Sequence, residues 1–121
     1  MGCRRRRLHQ TAYEPFVSAI ANHTKAFKQP VLLINGDSHK YRSDDPLVEG
    51  SACADEGKLP GCTIDAWTHH PPYDVPNFHR IVVHGSTPLP LEYLRLTVDP
   101  SADAPASSTA FGPFSWARVA P

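Results

Sequence analysis

Residues 29–47 read QPVLLINGDSHKYRSDDPL. Pro30 is followed by four consecutive apolar residues, Val31 to Ile34, and then at once by Asn35, Gly36, Asp37, Ser38 and His39. An unbroken, β-rich apolar run of this length predicts a strand covered on both faces, since a strand with one wet side would alternate. Gly36 permits a tight exit at its end. The strand therefore delivers a carboxylate and an imidazole, two residues apart, just past its carboxyl end.

The segment before it, YEPFVSAIANHTKAF (13–27), carries Phe16, Ile20 and Phe27 on one side at helical spacing, with Val17 and Ala21 beside them. Pro15 suits a first turn and Pro30 ends the helix before the strand begins. His23 falls near the polar side. Helix followed by buried strand is half of an α/β repeat unit.

After Val48 the regular signal fades until Asn77. Gly, Pro, Cys and the run THHPPYDVP predict a surface loop, so 49–77 is read as a variable loop. Phe78–His84 is a second strand. Leu91–Val98 is a third, with Leu94, Leu96 and Val98 on one face and Tyr93, Arg95 and Thr97 on the other. DPSADAPASSTA (99–110) is a turn-rich connector. Phe111–Val119 predicts a last strand, placed at an edge because Pro113 lacks a ladder donor. His69 and His70 adjoin Pro71 and Pro72, while His79 and His84 mark opposite ends of one strand. All four read as surface histidines. There are no internal repeats.

The 121 residues allow one domain, large enough to bury a core. Twelve Lys plus Arg balance twelve Asp plus Glu, so no net field steers the chain to nucleic acid or an anionic membrane. Thirteen prolines, about twice the ordinary share, favour loops and short strands after residue 45. No stretch approaches the roughly 20 apolar residues that span a bilayer. MGCRRRRLHQ has a basic start without an apolar region behind it, which is not a secretory signal. Gly2 is followed by Arg6 where a myristoylation motif wants Ser or Thr. Residues 1–12 are expected to be a disordered basic N-terminus, and no compartment is specified beyond the cytoplasm as default. Cys53 and Cys62 share one loop-like stretch and could pair in an oxidising compartment. A reduced pair is equally consistent, and Cys3 stands apart.

In extended chain, side chains two apart point the same way, so Asp37 and His39 can reach one point beyond the strand. Open α/β sheets hold ligands there. Carboxylate oxygen and neutral imidazole nitrogen both ligate zinc, manganese or iron-type ions. The plainer alternative is a turn whose Asp accepts backbone N–H bonds.

The succession FKQPVLLINGDSHKYRSDDPL, NFHRIVVHGS and YLRLTVDP resembles the C-terminal part of calcineurin-like metallophosphoesterases, in the bacterial branch whose last motif reads Gly-Asp-Thr-His. The likeness covers residues 13–48 and 77–119. It implies an α/β or α+β fold: a partial β-sandwich with a flanking helix, forming the C-terminal portion of the αββα domain over 13–121. It also implies a two-metal site of manganese, zinc or iron type that hydrolyses a phosphomonoester or phosphodiester. The family's final motif is usually Gly-His-x-His. Gly36, Asp37, Ser38 and His39 occupy it, which makes His39 a metal ligand and Asp37, standing where the other histidine usually does, a ligand or a partner orienting His39. Asp-x-His is also the form of the family's first motif, but neither Gly-Asp-x-x-Asp nor Gly-Asn-His follows. Two residues cannot hold two divalent ions, which need four to six donors each. The expectation is therefore a fragment with an incomplete metal site, inactive alone, its partners being a phosphoester substrate in the full-length family and the missing N-terminal half. The alternatives are a non-catalytic piece pairing by a sheet edge and a non-functional remnant.

Overall fold

A computed structural model of the chain describes residues 2–36, 40–55, 62–63, 73–85 and 91–121. One helix, α1 (Gly2–Phe27), precedes eight strands: β1 (Val31–Asn35), β2 (Arg42–Asp44), β3 (Ala52–Asp55), β4 (Cys62–Thr63), β5 (Phe78–Val82), β6 (Tyr93–Val98), β7 (Ala110–Phe111) and β8 (Phe114–Val119). They form a five-stranded sheet of order β1-β5-β2-β3-β4 and a three-stranded sheet of order β6-β8-β7. The fold is α+β. No described helix is long and apolar enough to cross a membrane.

The period of two along each strand sorts the core into two layers. Phe78 of β5 and Val31 and Leu33 of β1 face the helix, where Val17, Ile20 and Ala21 meet them together with Leu47 and Val75. Ile81 of β5 and Leu32 of β1 face the other way, onto Tyr41, Phe111, Trp116, Leu94 and Phe114. The five-stranded sheet thus lies between the helix and the smaller sheet, and β1 sends apolar side chains to both layers, as its unbroken apolar run requires. Trp116 donates its Nε1–H to the Tyr41 hydroxyl at 2.9 Å, which donates on to the Ser108 carbonyl at 2.9 Å. The polar atoms of the two large rings are thereby satisfied inside the core.

β1 and β5 pair in parallel, Val31 opposite Phe78 through Asn35 opposite Val82. The helix precedes β1, however, and the chain between the two strands carries β2, β3 and β4 of the same sheet, so the expected helix-and-strand repeat unit is not completed among the described residues. Asn77 locks the junction. Its side-chain amide donates to the carbonyls of Thr24 and Gln29 at 2.8 and 2.9 Å, and its own carbonyl receives Val31 N–H. The residue before β5 thus ties the last turn of the helix, whose Thr24 carbonyl also accepts Lys28 N–H, to the linker that leads into β1. Lys28, at φ 62°, turns the chain out of the helix in the left-handed conformation usual after a C-cap.

Four expectations change. The helix starts at Gly2 rather than near Tyr13, so Pro15 lies inside it. The Arg, Leu, Gln and Ala of residues 4–12 are good helix formers and carry the pattern upstream. Phe16 and Phe27 are exposed while Val17, Ile20 and Ala21 pack, because the apolar arc of α1 is wider than the sheet beneath it. The segment 49–77 contains strands β3 and β4, an antiparallel pair too short and too Ala- and Cys-rich to show a period. Finally, β8 is the middle strand of its sheet, not an edge. Gly112, at φ 56°, and Pro113 form the turn between β7 and β8, which removes Pro113 from the ladder.

Candidate functional site

Just beyond the carboxyl ends of β1 and β5 lies a polar pocket of about 410 Å³. Asn35 and Gly36 enter it from the end of β1, Lys40 from the chain leading into β2, Arg42 from β2 itself, Arg80 from β5 and Asp55 from β3. The pairing register explains the cluster. In the antiparallel β2–β5 ladder Asp44 stands opposite Arg80, and Arg42 lies two residues from Asp44 on the same face.

Asp44 anchors the arrangement. It is fully buried, and a lone buried carboxylate is costly. Arg80 Nε donates to its Oδ1 at 2.9 Å and Arg42 Nε to its Oδ2 at 2.7 Å, while a second Arg80 nitrogen also reaches Oδ2. Arg42 continues to Asp55 at 3.5 Å and donates to the Cys53 sulfur at 3.7 Å. Two guanidinium planes are therefore held by their inner edges, with their orientation fixed by a group that water does not reach. Among the described residues Lys40, Arg42 and Arg80 gather at the pocket, with Asp55 beside them and Asp44 beneath. Fixed, planar guanidinium donors beside a lysine suit a phosphoryl or other oxyanion.

Asp37 and His39 lie outside the described residues. Gly36 and Lys40, which flank them in sequence, both line the pocket. Among the described residues there is no group of three or more His, Cys, Asp or Glu placed to hold a cation, so those residues do not by themselves make a metal site. His69 and His70 also lie outside the described residues. The expectation of surface histidines fails for His79, which is 2% exposed, and for His84, whose side chain is nearly covered beside Glu92. His79 faces the second sheet, where Phe111 stacks on it and Trp116 lies tilted against it.

The arginines were missed because they do not form a local motif. The signal available was Arg80 itself, a charged residue in the middle of the apolar strand FHRIVV, which demands a buried partner; the acidic alternation of RSDD supplies one. Cys53 is disulfide-bonded, and the ladder places it directly opposite Cys62. Comparison with protein-family models, with curated proteins and with solved structures finds no match to this chain.

Proposed function

We propose that this chain is the C-terminal part of a calcineurin-like metallophosphoesterase, and that the pocket beyond β1 is its half of the phosphoester site. The supporting observation is positional. The Gly-Asp-Ser-His motif leaves a parallel strand at Asn35, and the residues on either side of Asp37-Ser38-His39 border a pocket carrying Lys40, Arg42 and Arg80. In this reading the chain's own cations receive the non-bridging oxygens of the phosphoryl group, and Asn35 offers an amide at the same rim. Asp37 and His39 contribute metal donors, and the remaining ligands come from segments bearing the family's other motifs.

The same reading gives a use to the β1 side of the five-stranded sheet. Among the described residues β1 pairs only with β5, although its sequence is that of an inner strand. Beside it runs an apolar groove of about 590 Å³ between α1 and β1, bordered by Phe16, Ile20, Phe27, Val31 and Leu33. An edge strand beside an apolar groove is an arrangement onto which a further segment bearing the family's other motifs would dock by strand addition.

The test is hydrolysis of an aryl phosphate with manganese or zinc. The 121-residue chain alone gives no turnover above the metal blank. Co-expression with a segment carrying Asp-x-His, Gly-Asp-x-x-Asp and Gly-Asn-His yields a complex that turns over, and His39→Ala in this chain abolishes it. Turnover that survives His39→Ala removes the residue from the mechanism and the reading with it.

A further inference from the structure

On the face of the five-stranded sheet opposite the arginines, three residues form a hydrogen-bonded relay. Ser43 and Asp45 are two apart and share that face; His79 comes from the neighbouring strand β5, two residues before Ile81, which stands opposite Ser43. Ser43 Oγ lies 2.8 Å from His79 Nε2, and His79 Nδ1 lies 2.7 Å from Asp45 Oδ1. The carboxylate of Asp45 can only accept, so it takes the Nδ1 proton and leaves Nε2 as the acceptor for the serine hydroxyl. Phe111 and Trp116, with ring centroids 5.2 and 5.5 Å from the imidazole, hold its plane. These are the spacing and order of roles by which a serine is activated as a nucleophile, and they are recognised by geometry on any fold. Ser43, His79 and Asp45 all line a cavity of about 200 Å³ shared with Ala52, Ala54 and Ser107. The cavity has room for a small acyl group.

We propose that Ser43 is a base-activated nucleophile that takes an acetyl-sized acyl group from activated carboxylic esters. The Ser43 oxygen attacks the ester carbonyl while its proton passes to His79 Nε2. The aryl oxide leaves and takes that proton as a phenol, which creates an acetyl-Ser43 ester. Water then attacks the ester, giving its proton to His79 and releasing acetate, and the serine oxygen recovers the proton. This activity is independent of the metal site, since it uses the other face of the sheet.

The experiment incubates the full chain with p-nitrophenyl acetate, quenches in acid, and maps the acetyl group by peptide mass spectrometry. The expected result is acetyl on Ser43 well ahead of exposed Ser101 in the same molecule, reduced about a hundredfold or more in Asp45→Asn, with near-ultraviolet circular dichroism confirming that the variant is folded. If Asp45→Asn does not fold, the ratio of Ser43 to Ser101 in the unaltered chain decides alone. No acetyl on Ser43, labelling no greater there than on Ser101, or labelling unchanged in folded Asp45→Asn overturns the proposal and leaves the relay as a polar stitch between the two sheets.

Discussion

Arg80 of β5 and Asp44 of β2 stand directly opposite each other in an antiparallel ladder, and the guanidinium Nε donates to the buried carboxylate at 2.9 Å. This pair organises the candidate site, because the carboxylate that holds Arg80 also holds Arg42. Removing the acid leaves the inner guanidinium edges without an acceptor. Asp44→Ala is expected to lower stability by on the order of 3 kcal/mol, as breaking a buried charge pair does. Urea denaturation checks it, and a midpoint within error of the parent would show that the arginines turn to solvent at no cost.

The β3–β4 ladder makes a second prediction. Cys53 is disulfide-bonded and has Cys62 as its register partner. A non-reduced digest should yield these two cysteines joined, with Cys3 free. Reduction is expected to cost about 2–3 kcal/mol, the usual entropy for a short closed loop. Thermal melts with and without reductant measure it.

Glu92 carries a pH dependence. Hydrogen bonds from Arg118, Nε to Oε2 at 2.6 Å, hold its carboxyl below the ordinary glutamate value of 4.5, against the opposing effect of burial. A depressed folded pKa adds stability that is complete above the ordinary value and is lost as pH falls through the folded one. Stability should therefore decline below about pH 4.5, and Glu92→Gln should flatten that part of the curve. Identical acid limbs for the two proteins would remove Glu92 from acid denaturation.

Gly112 closes the β7–β8 turn at φ 56°, and a Cβ built there would sit 2.6 Å from Pro30 Cγ. Both the left-handed backbone and the contact disfavour a side chain. Gly112→Ala is expected to destabilise by about 1–2 kcal/mol or more. A melting temperature equal to the parent's would show that the Pro30 ring gives way freely.

Much of the fold was legible where the pattern was long. Val31–Ile34 announced a strand, although its expected cover on both faces is partial, since Val31 to Leu33 are half-buried and Ile34 is exposed. Leu94 of β6 reached the core as expected. Leu96 and Val98, expected on the same face of β6, are exposed instead. Strands β2 to β4 were not legible: the short segments RSD, ACAD and CT owe their state to their neighbours, not to period or propensity. The site divided in the same way. Asp37 and His39 were read from local spacing, and they remain a proposal. Arg42, Asp44 and Arg80 meet only through a cross-strand register spanning more than thirty residues, and His79 joins Ser43 and Asp45 by the same long pairing.

The most direct measurement of the account is manganese binding by the full chain, read from depletion of the free-ion electron paramagnetic resonance signal. The proposal requires weak but saturable binding that is lost in His39→Ala and diminished in Asp37→Asn. No binding by the unaltered chain, or binding indifferent to His39, would contradict the assignment of this strand end to a metal-dependent phosphoesterase.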